Sequence, residues 1–150
     1  MIKKIAFHNT SLVQELFELQ KASYLVEANL IGFFDIPPLK ESLEGLNGCG
    51  ETFLGYFEEE VLVGALAFTI EGEALTICRM VVHPNHFRKG IARKLLYALE
   101  EIQPEWLVLK VSTGKDNTPA KKLYQKNGFQ FVQDMEVVPG LFISHFEKRR

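Results

Sequence analysis

LTICRMVVHPNHFRKGIARKLLYALEE, residues 75–101, joins a run of β-formers to an amphipathic helix through a short basic loop. The apolar run from Leu75 to Val82 lacks polar alternation and has the length of a strand buried on both faces. His83-Pro84-Asn85 ends it, because proline cannot continue a central ladder. Beyond Phe87-Arg88-Lys89-Gly90, residues Ile91, Leu95, Leu99 and Ile102 recur at helical spacing, with Arg93, Lys94 and Glu100 between them. Strand, glycine-bearing basic turn and helix start make a geometry that holds an anion. The unpaired amides of the first turn, the positive end of the helix dipole and two cations point at one place. The same residues also fit an ordinary strand-to-helix turn carrying two solvated charges.

Composition bounds what this turn can serve. The chain of 150 residues has room for one domain, 1–150, with its own core, and not for two comfortable ones. A net charge of −2 gives no reason to expect nucleic acid or an anionic membrane surface as partner. Lys and Arg gather at 88–94 and 121–126, which suits a compact anionic ligand better than a polyanion. Cys49 and Cys78 have no metal or redox spacing, and Cys78 falls within the apolar strand, so both read as reduced thiols of a cytoplasmic protein. No apolar run approaches a membrane span, and MIKKIAFHN has no signal-peptide core.

Outward from the central stretch, Ile2–Phe7 reads as a short first strand. Thr10-Ser11 with Gln14 offers a capping box, and Leu12, Leu16, Leu19, Ser23, Val26 and Leu30 mark one helical face. Pro38 suits the first position of a shorter helix ending near Leu46. Phe53–Phe57 and Val61–Ile70 form a hairpin around an acidic turn, Glu58-Glu59-Glu60, and a second turn leads into the central strand. Pro104 stops the central helix, and Trp106–Val111 is the next strand. Thr118 caps a last helix with Pro119 in its first turn, and Asn127-Gly128 terminates it. Phe129–Val138 and Leu141–Glu147 close the chain as strands around Pro139-Gly140. The order β-α-α-β-β-β-α-β-α-β-β is that of a mixed α+β domain.

A second motif, NTPAKKLYQKNGF at 117–129, puts Ala120, Leu123, Tyr124 and Asn127 on one face of the last helix. An N-x-x-A helix start carrying L-Y-x-K-x-G-F, after a strand, anion loop and helix, resembles the GNAT superfamily of acyl-CoA-dependent N-acyltransferases. The likeness runs closest from about Thr69 to Phe131 and covers the rest by element order only. It implies a mixed, mostly antiparallel sheet of about seven strands, with about four helices flanking it and strands 4 and 5 splayed apart. It also implies acetyl-CoA as co-substrate, its pyrophosphate on the amides of Arg88, Lys89, Gly90, Ile91, Ala92 and Arg93. The pantetheine arm would lie along Met80, Val81 and Val82 as an added strand. Asn117 would contact the cofactor, and Tyr124 would face the thioester sulfur. Phe87 stands where the family often has Gln or Arg, so the backbone cradle around Gly90, not a side chain at 87, carries the expectation.

Acyl transfer to an amine needs a deprotonated nucleophile beside the thioester carbonyl, an oxyanion donor and a proton for the thiolate. A backbone N–H near Val81 is the expected donor, and Tyr124 the general acid, with a half-buried core tyrosine as the plainer reading. For the general base, Glu27, Asp35, Glu41 and Glu73 are available; each also fits a solvated carboxylate. Arg79, a cation within an apolar strand, either lines an acceptor pocket or pairs with a buried carboxylate. His83 and His86 straddle Pro84 without carboxylate or cysteine support, so no metal site is expected, and the basic loop lacks the glycine and Lys-Ser/Thr pair of a Walker motif. The expected activity is direct acetyl transfer from acetyl-CoA to an amine of a small molecule or peptide, in a monomer or homodimer. No cysteine is placed for an acyl-enzyme. The alternatives are an acyl-CoA sensor without turnover and an interaction domain without a cofactor.

Overall fold

Strands of the middle and last thirds of the chain gather the elements into one sheet. In the computed structural model, which describes residues 1–150, these are β1 (Ile2–Lys4), β2 (Thr52–Glu58), β3 (Val61–Glu71), β4 (Ala74–Val82), β5 (Val108–Gly114), β6 (Gln130–Val138) and β7 (Leu141–Arg149). Their spatial order is β1-β2-β3-β4-β5-β7-β6, and every pairing is antiparallel except β4 with β5. Five α-helices complete the chain: α1 (Thr10–Ile31), α2 (Pro37–Lys40), α3 (Leu43–Asn47), α4 (Ile91–Ile102) and α5 (Thr118–Lys126). None is long and apolar enough to cross a membrane. The mixed, mostly antiparallel seven-stranded sheet is the expected architecture, and its one parallel pair is β4–β5.

Packing follows from strand alternation. Along β3, Leu66 and Phe68 join a core that includes Ile91, Leu95, Leu96 and Leu99 of α4, whereas Ala65 and Ala67 join a core with Val13, Leu16 and Leu19 of α1. β3 is therefore sandwiched and apolar throughout its middle. Gly64 marks the tightest approach: a Cβ there would sit 2.7 Å from Ile91 Cγ2 and 3.4 Å from the Val81 carbonyl oxygen.

Four local expectations change. β4 is not buried on both faces. Leu75, Ile77 and Val81 are buried, Met80 and Val82 are half-buried, and Cys78 is exposed. The cause is pairing: β5 accompanies β4 only from Ala74/Val108 to Ile77/Val111, and Cys78 is the residue skipped where the β3 register shifts. Asn9, not Thr10 or Ser11, caps α1, its side chain accepting from the Leu12 amide. The buried face of α1 is Val13, Leu16, Leu19, Gln20, Tyr24 and Ala28, sharing only Leu16 and Leu19 with the expected stripe, because Gln20 and Tyr24 are drawn inward by polar partners and the cleft. The single helix expected from Pro38 to Leu46 breaks at an extended Glu41, and Ser42 caps a new turn. Lys21 Nζ donates to the carbonyls of Leu39 and Glu41, which turns them toward α1 instead of along a helix.

Since α4 rests on Gly64, Gly64→Val should overpack that contact and destabilise the protein by about 1–3 kcal/mol. Thermal unfolding reads it as a lower Tm; an unchanged Tm would mean that α4 shifts without cost.

Candidate active site

The end of β4–β5 pairing opens the cleft. His83 N–H donates to Val63 O, so alternation sends the Val81 and Arg79 amides toward β3 and those of Met80 and Val82 into the gap. The Val82 amide meets Ser23 Oγ of α1 at 3.3 Å. Of the three strand residues singled out from sequence, Met80 and Val82 line the cleft, whereas Val81 points its side chain into the α1 core and its amide at β3. The strand-edge amides that face the cleft thus flank Val81 and do not include it, and the Val82 amide already donates to Ser23. The cleft holds about 1260 Å³, more than a compact small molecule fills, and suits an elongated ligand.

At its mouth lies the start of α4. Gly90 is the N-cap, at φ 75°, and no side chain caps the helix. The first helical bond runs from Lys94 N–H to Gly90 O, leaving the amides of Ile91, Ala92 and Arg93 without intrahelical partners. Asn9, Ser42 and Asn117 cap α1, α3 and α5 with side chains, and α2, also uncapped, begins on two prolines that have no N–H to offer, so α4 is the helix with an open turn of amides. A Cβ at Gly90 would meet nothing nearer than an Arg93 nitrogen at 4.0 Å, and Arg88 also holds a positive φ of 66°. The loop is curled so that its amides face outward into free space, the arrangement that receives an anion. Arg88, Gly90, Ile91, Ala92 and Arg93 line the cleft; Lys89 does not. Its ammonium is drawn away to His86 Nδ1 at 3.1 Å and Glu58 Oε2 at 3.7 Å.

Tyr124, on α5, reaches the cleft from the other side, 3% exposed and packed edge-on against Phe129. Burial, and then the charge of Glu27, hold its phenol well above the usual tyrosine range, so it carries its proton at any physiological pH. Asn117 is committed within the chain: Oδ1 accepts from the Ala120 amide at 3.3 Å, and Nδ2 donates to Glu27 Oε2 at 2.9 Å. Thr113 Oγ1 donates to the same oxygen at 3.1 Å. Asn117 therefore lines the cleft while acting as a tie between α5, β5 and α1.

The remaining candidates separate clearly. Arg79 lines the cleft and is also paired: its guanidinium donates to both oxygens of Glu41 at 2.6 and 2.9 Å, to Glu51 Oε1 at 2.9 Å and to Gln20 Oε1 at 2.8 Å. Burial alone would lower its pKa, but the two carboxylates outweigh that and keep it charged. Glu41 is thereby occupied. Asp35 pairs with Lys40 at the surface, and Glu73 lies exposed in a turn. His83 Nδ1 accepts from the Asn85 amide, and His86 faces Glu58, so the two rings serve separate partners. Gln20, Ser23, Tyr24, Glu51 and Thr113 are part of this neighbourhood although none was singled out from sequence. Each is a common residue type in its helix, strand or loop, and only the tertiary contact distinguishes it.

With this geometry in place, the chain can be set beside known proteins. Residues 13–129 match the description "Acetyltransferase (GNAT) family". The chain is 35% identical over 146 residues to UPF0157 protein YqkA of Bacillus subtilis (strain 168), covering 97% of this chain and 43% of that protein. It is 34% identical over 99 residues to the uncharacterized N-acetyltransferase YsnE of the same organism, covering 61% of this chain and 64% of that one. It thus spans less than half of the first relative and less than two thirds of the second. The crystal structure of PaiA N-acetyltransferase from Thermoplasma acidophilum, in complex with coenzyme A, shares the fold with a TM-score of 0.80 at 20% identity, covering 100% of this chain and 98% of that one.

The Arg79 cluster yields a pH prediction. Burial pushes the Glu41 carboxyl up, but hydrogen bonds from Arg79 and Gln20 outweigh it and leave it below its ordinary value of 4.5. A depressed folded pKa contributes stability that is complete above that value and lost as pH falls through the lower folded one. The Tm advantage of wild type over Glu41→Gln should therefore be constant above pH 4.5 and shrink below it. An advantage independent of pH would show that the charge of Glu41 contributes nothing.

Proposed function

We propose that this chain, which belongs to the acetyltransferase (GNAT) family, moves an acetyl group from acetyl-CoA to an amine by direct transfer in a ternary complex. The observation that carries this reading is the coincidence of an open strand edge and an uncapped helix start in one cleft. The amides of Ile91, Ala92 and Arg93, the dipole of α4 and the cations of Arg88 and Arg93 suit a pyrophosphate. The edge of Met80 and Val82 left by β5 suits the two amides of a pantetheine arm, which would lie beside β4 and take the place of Ser23 Oγ at the Val82 amide. Coenzyme A in the PaiA complex, held by a protein of the same fold, supports this reading.

The chemistry then follows from the chain's own groups. A strand-edge amide next to Val81, at Met80 or Val82, donates to the thioester oxygen as it gains charge. The amine lone pair forms the new C–N bond, the C–S bond breaks with its electrons on sulfur, and Tyr124 gives its proton to that sulfur. Tyr124 suits this role by its place in the cleft and by having a proton to give at neutral pH. Cys78 lines the same cleft, and although the residue as a whole is exposed, partial desolvation of its thiol first, and then the charge of Glu51, push the thiol pKa up, so it is a poor nucleophile at neutral pH. Transfer without an acyl-enzyme is the consistent course.

Two substitutions test the assignment. Gly90→Val places a side chain where the backbone must approach the pyrophosphate and strains a positive φ. Acetyl-CoA affinity by calorimetry should weaken by about tenfold or more, about 1.4 kcal/mol, and unchanged affinity would remove the cradle. Tyr124→Phe should lower kcat by about 10²-fold, the usual scale for a general acid, with acetyl-CoA affinity retained. Untouched turnover would make the tyrosine structural, and tight binding with no thiol release against any amine would make the protein a binding module.

A further inference from the structure

The lining of the cleft is electrically lopsided. Its cations, Arg88, Arg93 and Lys126, belong to the segments around the start of α4 and the end of α5, while Arg79 is neutralised by Glu41 and Glu51. Among all lining residues there is a single carboxylate, Glu27 of α1. It is held rather than loose. Oε2 accepts from Thr113 Oγ1 at 3.1 Å and from Asn117 Nδ2 at 2.9 Å, which fixes the plane of the group, and Oε1 takes no hydrogen bond from the chain. The phenols of both Tyr24 and Tyr124 feel its charge, so it lies within electrostatic reach of the proposed proton donor. An acidic side chain tethered beside the reacting end, with one oxygen free, is a receptor for one ammonium group.

Around it the wall is apolar. Leu30 and Ile31 follow Glu27 by one helical turn, Ile36 and Pro37 enter from the next segment, and Val137 and Leu141 come from the β6–β7 turn. Two close approaches bring these pieces together. A Cβ at Gly114 would lie 3.0 Å from Ile31 Cγ2, and one at Gly140 would lie 3.6 Å from Phe33. A polycation would leave its further charges against hydrocarbon with no anion to meet them, which is costly.

We propose that Glu27 receives the acceptor's ammonium group and that the acceptor is a primary monoamine on an apolar body, neither a polyamine nor a polycationic sugar. This rests on the acetyl-transfer reading above. Of the two protons the ammonium nitrogen loses on becoming an amide, one leaves through Glu27 Oε1 to solvent before attack. The other is lost after the C–N bond forms and restores Tyr124, whose own proton has gone to the CoA sulfur.

The experiment uses the full chain with acetyl-CoA and follows thiol release against 2-phenylethylamine, n-hexylamine and spermidine, with acetyl-CoA affinity measured separately. Wild type should favour the two monoamines over spermidine. Glu27→Gln keeps an oxygen for Thr113 and Asn117 but removes the charge. It should lower kcat/KM for the monoamines by about 10- to 100-fold, the worth of a charge-assisted hydrogen bond, through both KM and kcat, with acetyl-CoA affinity unchanged. Leu30→Asp, at a half-exposed position one turn from Glu27, supplies a second anion and should shift preference toward spermidine; it also serves if Glu27→Gln fails to fold. The inference is overturned if wild type prefers spermidine, if wild type binds acetyl-CoA but releases no thiol with any of the three amines, if Glu27→Gln matches wild type, or if Leu30→Asp leaves the preference unmoved. Failure of wild type to bind acetyl-CoA at all would instead overturn the acetyl-transfer reading on which it stands.

Discussion

Parallel pairing between β4 and β5 stops after Ile77 and Val111, and the character of the site descends from that single interruption. A sheet that stayed closed would bury the Met80 and Val82 amides in a ladder. Opened, it leaves two strand-edge donors in a cavity walled by α1 on one side and α5 on the other. The structure tolerates the gap because the sheet is anchored on both sides of it. β3 binds the whole length of β4, and β7 binds β5 through Gly114. The unpaired edges are left inside a cleft rather than at an outer rim, where they would invite pairing with another chain.

Polar contacts across this opening set its shape. Arg79 ties β4 to Gln20 of α1, to Glu41 in the break between α2 and α3, and to Glu51 ahead of β2. Lys21 fixes the carbonyls of the same break. Glu27 ties the end of α1 to Thr113 on β5 and to the cap of α5. The front third of the chain is thereby clamped over the cleft by charge-assisted bonds, which lose much of their worth if one partner is removed and the other is left buried. The two clamps differ in consequence. The Arg79 clamp consumes its charges internally, whereas the Glu27 clamp leaves one carboxylate oxygen free.

Local chemistry explains which elements can be read without coordinates. The glycine and basic residues at 88–90, the proline after Val82 and the N-x-x-A start of α5 act within a few residues, so their meaning survives in the linear order. The α1 stripe fails as a reading because periodicity locates an amphipathic face only by hydrophobicity. Gln20 and Tyr24 are buried for polar partners and a cavity wall, neither of which period counting can see. Cys78 misleads for the opposite reason: its apolar neighbours suggest a covered strand, but the neighbouring strand leaves before reaching it.

From its sequence alone, the chain specified an α+β sheet with a glycine turn at Gly90 opening a helix and a tyrosine-bearing last helix, because turn geometry, capping and apolar period are set by near neighbours. Only the tertiary structure decided which amides face the gap, that Lys89 turns away to Glu58, and that Glu27 alone among the carboxylates enters the cleft. Glu27 meets Thr113 and Asn117 across 86 and 90 residues of chain. No local rule carries information over that distance; the packing of α1 across the open sheet supplies it.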